Sequence, residues 1–170
     1  SLEFSGEGLF DSDGQQGAIN DGLNPLSMST KGGANFAPSV GSTFTFTLEG
    51  SPTGYDIERV ETFTAFRAVG RVAQAYKLEF SYVGDSAFSE IVSLDEGNAS
   101  MRNTGKVVIT DPDGSLGTGV DQIRFTIALP SRSGLESVYG EFDVFGTASE
   151  PPSAEAESAE AKTGEAKPQQ

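Results

Sequence analysis

Glu141 lies in the segment Tyr139-Gly140-Glu141-Phe142-Asp143-Val144-Phe145-Gly146, where Phe142 and Val144 call for a core beside it. A second carboxylate, Asp21, is held by the turn Asn20-Asp21-Gly22, far away in sequence. A closing strand that returns a glutamate to an early Asp-Gly turn can tie the two ends of a β-sandwich around a calcium ion. Calcium takes ~6–8 oxygen ligands, and two oxyanions drawn together without a cation repel. The simpler alternative is an ordinary Asx turn at Asp21 and a solvated glutamate on an edge strand.

A second set of residues suits recognition. The loop Ala65-Phe66-Arg67-Ala68-Val69-Gly70-Arg71-Val72-Ala73-Gln74-Ala75 combines an aromatic face with two arginines and an amide. An aromatic ring stacks on the apolar side of a sugar, while Arg67, Arg71 and Gln74 offer donors to hydroxyls or a carboxylate. The competing assignment puts Phe66 in the core and Arg71 in an ion pair. Arg132 in Ser131-Arg132-Ser133-Gly134-Leu135, with Tyr139, is expected to line the same end of the molecule.

Catalysis is not expected. The chain has no His, Cys or Trp, which excludes a Ser-His-Asp triad, a thiol nucleophile, a disulfide and a His/Cys zinc site. Any metal must be a hard cation held by oxygen. Glu141 and Asp143 share a strand face, as paired acid and base carboxylates must, but the next position such a set would use is Gly146. Asp11-Ser12-Asp13-Gly14 and Asp111-Pro112-Asp113-Gly114 lack the later ligands of an EF-hand loop and read as solvated turns. Arg124, in an apolar strand, reads as a structural ion-pair partner.

The 25 acidic against 11 basic residues, net −14, argue against nucleic acid and anionic membrane as partners. No apolar run reaches the ~18–20 residues of a membrane span, and no charged-then-apolar leader opens the sequence. The acidic, Gly/Ser/Thr-rich, Lys-poor composition points to a secreted or cell-surface protein.

These residues must be positioned by strands. Thr43–Leu48 alternates with Phe44, Phe46 and Leu48 inward; Tyr76–Tyr82 and Ile123–Leu129 repeat the pattern. Shorter strand-like runs cover 57–66, 90–94, 106–110, 139–145 and 29–36, divided by Gly/Asp/Asn/Pro clusters. About eight short strands without an amphipathic helix predict an all-β, two-sheet antiparallel sandwich over residues 1–149. Residues 150–170, acidic and rich in Ala, Glu and Pro, carry no aromatic or large aliphatic residue and read as a disordered tail or linker.

In their order and spacing, several pieces resemble the discoidin-like (coagulation factor 5/8 type C) branch of the galactose-binding-like jelly rolls, as found in bacterial secreted and surface proteins. The pieces are Gly17-Ala18-Ile19-Asn20-Asp21-Gly22, Gly54-Tyr55-Asp56-Ile57, Arg71 with Gln74 before Tyr76–Tyr82, Phe88 and Ile91 after Gly84-Asp85, Val120–Phe125, and Glu141–Gly146. The resemblance covers 17–146 and implies an eight-stranded jelly roll with a structural calcium ion held by Asp21 and Glu141. Asn24 and Ser27 are the candidates to complete its shell. It also implies glycan binding through loops at one end, although Phe66 stands near where the family often carries a Trp. The expected function is a non-catalytic, calcium-stabilised carbohydrate-binding module. The alternative is a structural or adhesive surface domain whose partner is another protein.

Overall fold

The computed structural model describes residues 1–6, 8–10, 36–66, 71–96 and 103–151. Every regular element among them is a strand: β1 (Leu2–Ser5), β2 (Gly8–Phe10), β3 (Phe36–Pro38), β4 (Thr43–Thr47), β5 (Tyr55–Phe66), β6 (Gln74–Tyr82), β7 (Ser89–Glu96), β8 (Asn103–Thr110), β9 (Gly117–Ile127) and β10 (Tyr139–Ala148). All the pairings are antiparallel. One layer runs β1-β4-β9-β6-β7 and the other β8-β5-β10-β3-β2. The start of β9 pairs with the start of β5, so one curled sheet folds back on itself as a jelly-roll sandwich.

That corner depends on two glycines meeting. Gly54 has φ 76°, and a Cβ there would stand 2.5 Å from the carbonyl carbon of Gly119, itself at φ 75°. Only glycine adopts such angles without penalty while letting two backbones approach this closely. Gly117 and Gly119 therefore belong to β9 and not to the turn before it.

Alternation builds the core as expected. Phe44, Phe46, Tyr76, Leu78, Phe80, Ile123, Phe125 and Ile127 are all buried between the layers. Leu129 does not continue the inward series: β9 ends at Ile127, and Leu129 is exposed. The expected strand over 29–36 falls almost wholly outside the described residues.

In β10, strict alternation would put Tyr139 on the same side as Glu141. Instead the ladder with β5 is interrupted between these two residues by a bulge. Tyr139 and Phe142 consequently both enter the core, with stacked rings 5.1 Å apart, while Glu141 and Asp143 share the opposite face.

The core also holds a closed polar network. Thr62 Oγ1 donates to Gln74 Oε1 at 2.5 Å, Gln74 Nε2 donates to the Thr62 carbonyl at 3.2 Å, and the Tyr76 hydroxyl lies 3.0 Å from Thr62 Oγ1. Satisfied in this way, the buried groups cost little; broken, they cost a great deal. Thr62→Val keeps shape but strands Gln74 Oε1 and the Tyr76 hydroxyl. Urea unfolding is expected to show a loss of about 1–3 kcal/mol.

Both described chain ends are fastened at one pole. The Ser1 ammonium donates to the Thr47 carbonyl at 2.8 Å, and Ser149 N donates to the Gly54 carbonyl at 3.0 Å. The Ser149 hydroxyl bonds Asp56, and its carbonyl accepts from Thr53 Oγ1 at 2.6 Å.

Candidate functional site

The opposite pole collects the connections that leave β5 and β9. Residues 71–73 lead into β6, and 128–138 join β9 to β10. Val138 N donates to the Arg71 carbonyl at 2.9 Å, Ser137 Oγ donates to the Ala73 carbonyl at 2.5 Å, and Ala128 N donates to the Ala75 carbonyl at 3.0 Å. The two loops proposed from sequence are thus stitched together as one surface. Ser131 N, donating to Asp95 Oδ1 at 3.1 Å, ties the end of β7 to it.

The individual candidates divide. Arg132 is exposed on this surface and Arg71 is half-buried. Phe66 ends β5, paired with Asn103; Arg67 lies outside the described residues. Two assignments need correcting. Gln74 is buried and bonded through both amide atoms to Thr62, so it belongs to the core network and not to an exposed binding surface. Tyr139 is fully buried, its hydroxyl donating to the Ala75 carbonyl at 3.2 Å, and burial raises its pKa. The bulge that turned Tyr139 inward left no signal in a period-two pattern. The pole also exposes Val40, Leu129 and Leu135, which sequence reasoning missed. Apolar residues in Gly/Ser-rich loops look like strand continuations until the strand's end is known.

A second cluster occupies the outer face of the β10-β5-β8 layer. Its register sets Glu141 beside Phe63 and Lys106, Asp143 beside Glu61 and Val108, and Phe145 beside Arg59 and Thr110. Glu61 is paired with Lys106 at 2.8 Å and with Arg59 Nε at 3.2 Å. Arg59 also lies 4.0 Å over the Phe145 ring, and Lys106 5.1 Å over Phe63. Glu141 is fully buried and hydrogen-bonded to Asp143. Burial, then the negative charge of Glu61, raise the Asp143 pKa against the opposing pull of its bond to Glu141 and of Lys106 and Arg59. Oxygen donors of this kind fit a hard cation. Asp21, Asn24 and Ser27, the rest of the expected set, lie outside the described residues, and among those described no three His, Cys, Asp or Glu side chains are placed to hold a metal ion together.

The other layer carries a structural ion-pair network on its outer face, with Arg124 in the expected role. Arg124 Nε and Lys77 Nζ each stand 2.9 Å from Glu79, and Thr126 Oγ1 donates to Glu79 at 3.1 Å. Burial alone would raise the Glu79 pKa; the bonds from Arg124 and Lys77 overcome it and hold the group down to about 2. Arg124 also lies 3.9 Å over the Phe88 ring.

No family model and no curated protein matches this chain in sequence. Solved structures do match. CBM32-1, from a family 31 glycoside hydrolase of Clostridium perfringens, superposes with TM-score 0.56 at 15% identity, over 85% of this chain and 93% of that one. The fold is that of the galactose-binding-like jelly rolls. Part of CpGH89 of the same organism also matches, solved in complex with its substrate GlcNAc-alpha-1,4-galactose. There the TM-score is 0.55 at 18% identity, covering 90% of this chain but only 15% of that one.

The two perturbed carboxylates have opposite effects on this jelly roll. Glu79 binds its proton more weakly when folded, so its contribution is present above about 4.5 and is lost as pH falls toward about 2. Asp143 holds its proton more tightly when folded, so it favours the fold below about 3.8, and that advantage is lost as pH rises through its raised folded value. Urea unfolding across pH 2–7 should show Glu79→Gln flattening the acid loss of stability and Asp143→Asn steepening it.

Proposed function

We propose that this domain is a non-catalytic carbohydrate-binding module acting outside the cytoplasm, with its sugar site on the pole built by residues 71–73 and 128–138. The observation that carries this reading is the stitching of these two loops, which sets the arginine-bearing segments side by side at one end of a jelly roll. Guanidinium donors suit sugar hydroxyls and carboxylates. Solved structures of this fold include CBM32-1 and part of a protein bound to a galactose-containing disaccharide, which supports a glycan as ligand and an extracytoplasmic location.

The carboxylate pair argues against hydrolysis. Catalytic acids flank a glycosidic bond at ~5–5.5 Å or more, whereas Glu141 and Asp143 hydrogen-bond each other and leave no space for a substrate between them. We assign Glu141 instead to a structural calcium site with Asp21, completed by Asn24 and Ser27. The support is its complete burial beside a second carboxylate. The second reading, an adhesive domain with a protein partner, rests on Val40, Leu129 and Leu135 exposed among the loops of the same pole.

Two measurements test these readings. On an array of galactose- and N-acetylglucosamine-containing glycans, the protein is expected to bind, Arg132→Ala to lose about tenfold or more in affinity, and Tyr139→Phe to lose stability while keeping its specificity. A blank array with a folded protein sinks the sugar reading and favours the adhesive one. Calcium at a hundredfold excess over Kd should stabilise the EDTA-treated protein by about 2.7 kcal/mol, a melting shift of several degrees that Glu141→Gln abolishes. No shift in the parent protein removes the calcium site and leaves the glycan result standing.

A further inference from the structure

Next to the loop pole, one flank of the sandwich carries two edge strands. Among the described residues, β7 is paired only with β6 and β8 only with β5. Between the two edges lies a groove of about 600 Å³, within the ~300–1,000 Å³ typical of ligand sites. Val72, Leu94, Val107 and Ile109 give it an apolar floor, and Glu96 stands at one end.

The two edges are protected unequally. β7 carries Glu90, Asp95 and Glu96, charges that discourage strand addition. β8 reads Asn103-Thr104-Gly105-Lys106-Val107-Val108-Ile109-Thr110, with no proline, and its ladder with β5 runs without a bulge. Its one charge, Lys106, is committed to Glu61 and Phe63 on the outer face. Val108 is 48% exposed. A regular eight-residue strand, β-branched throughout Val107–Thr110, thus presents one row of backbone groups to the groove.

We propose that the groove is a docking site for an extended segment of another polypeptide. The segment adds as a strand to β8, lays alternate apolar side chains on the floor and turns a basic residue toward Glu96. Backbone pairing supplies affinity and the alternate side chains supply selectivity. Glu96 is exposed and has no ion-pair partner among the described residues, which fixes the sign of the guest's charge. A second copy of the chain is disfavoured, because each carries a net charge of −14. A sugar is disfavoured because, among the described residues, no aromatic side chain lines the groove.

The test uses the whole chain and three fluorescein-labelled nonapeptides, followed by fluorescence anisotropy and amide hydrogen exchange. The first alternates valine with lysine and threonine, the second has proline at its centre, and the third has glutamate in place of lysine. The first peptide is expected to bind and to slow exchange within 103–110. The proline version keeps the charge but breaks the ladder, and should bind about tenfold more weakly. Glu96→Lys should reverse the preference between the lysine and glutamate peptides. Equal binding of the proline peptide would reduce the effect to bulk charge attraction and overturn the proposal. Protection confined to other strands would do the same, as would a dimer in sedimentation whose β8 amides are already protected without peptide.

Discussion

The contact between Phe125 and Phe142 holds the two layers together. Their rings stack at 4.5 Å, one from β9 in the first layer and one from β10 in the second. Phe142 also meets Phe44 at 5.3 Å, Phe46 at 6.2 Å and Tyr139 at 5.1 Å, while Tyr76 closes on Phe125 at 5.4 Å. Each such pair adds about 0.5–1.5 kcal/mol beyond the apolar area it buries. In a chain without tryptophan or disulfides, this cluster takes the place of a single large anchor. Everything on the outer faces and at the poles is positioned relative to it.

The bulge in β10 follows from the same demand. To place both Tyr139 and Phe142 against Phe125 and Tyr76, the strand must insert one residue out of step, and Gly140 lies in that interruption. The cost is a local break in the ladder. The result is a carboxylate, Glu141, fully buried yet on the side away from the aromatic core. Core packing and the placement of the acidic pair are therefore one structural decision, and a change at either end disturbs the other.

Much of the architecture was legible in the chain because period-two alternation is a direct record of which face is buried. Thr43–Thr47 and the body of β9 show it in burial, and Tyr76–Tyr82 shows it in register, its outward Glu79 being covered as well by the ion pairs it makes. The shortest strands were not legible: β1, β2 and β3 have three or four residues each, too few for a period to stand out, and exist through their partners. The poles were half legible. Composition marked the two loops, and their meeting depends on backbone bonds such as Val138 to Arg71 that any side chains could make. Gln74 and Tyr139 carry groups that suit a ligand equally well inside or outside, and only the register decides which. Arg124 was readable because a lone cation in an apolar strand must find an anion, and Glu79 sits across from it.

The fastening of Ser1 to Thr47 and of Ser149 to Gly54 has a geometric consequence. The start of β1 and the end of β10 lie at the same end of the sandwich, remote from Arg71 and Arg132. The loop-bearing crown therefore faces away from both fastened positions. A label carried at Ser1 or beside Ser149 would report on the fastened pole and leave Arg132 open to solvent.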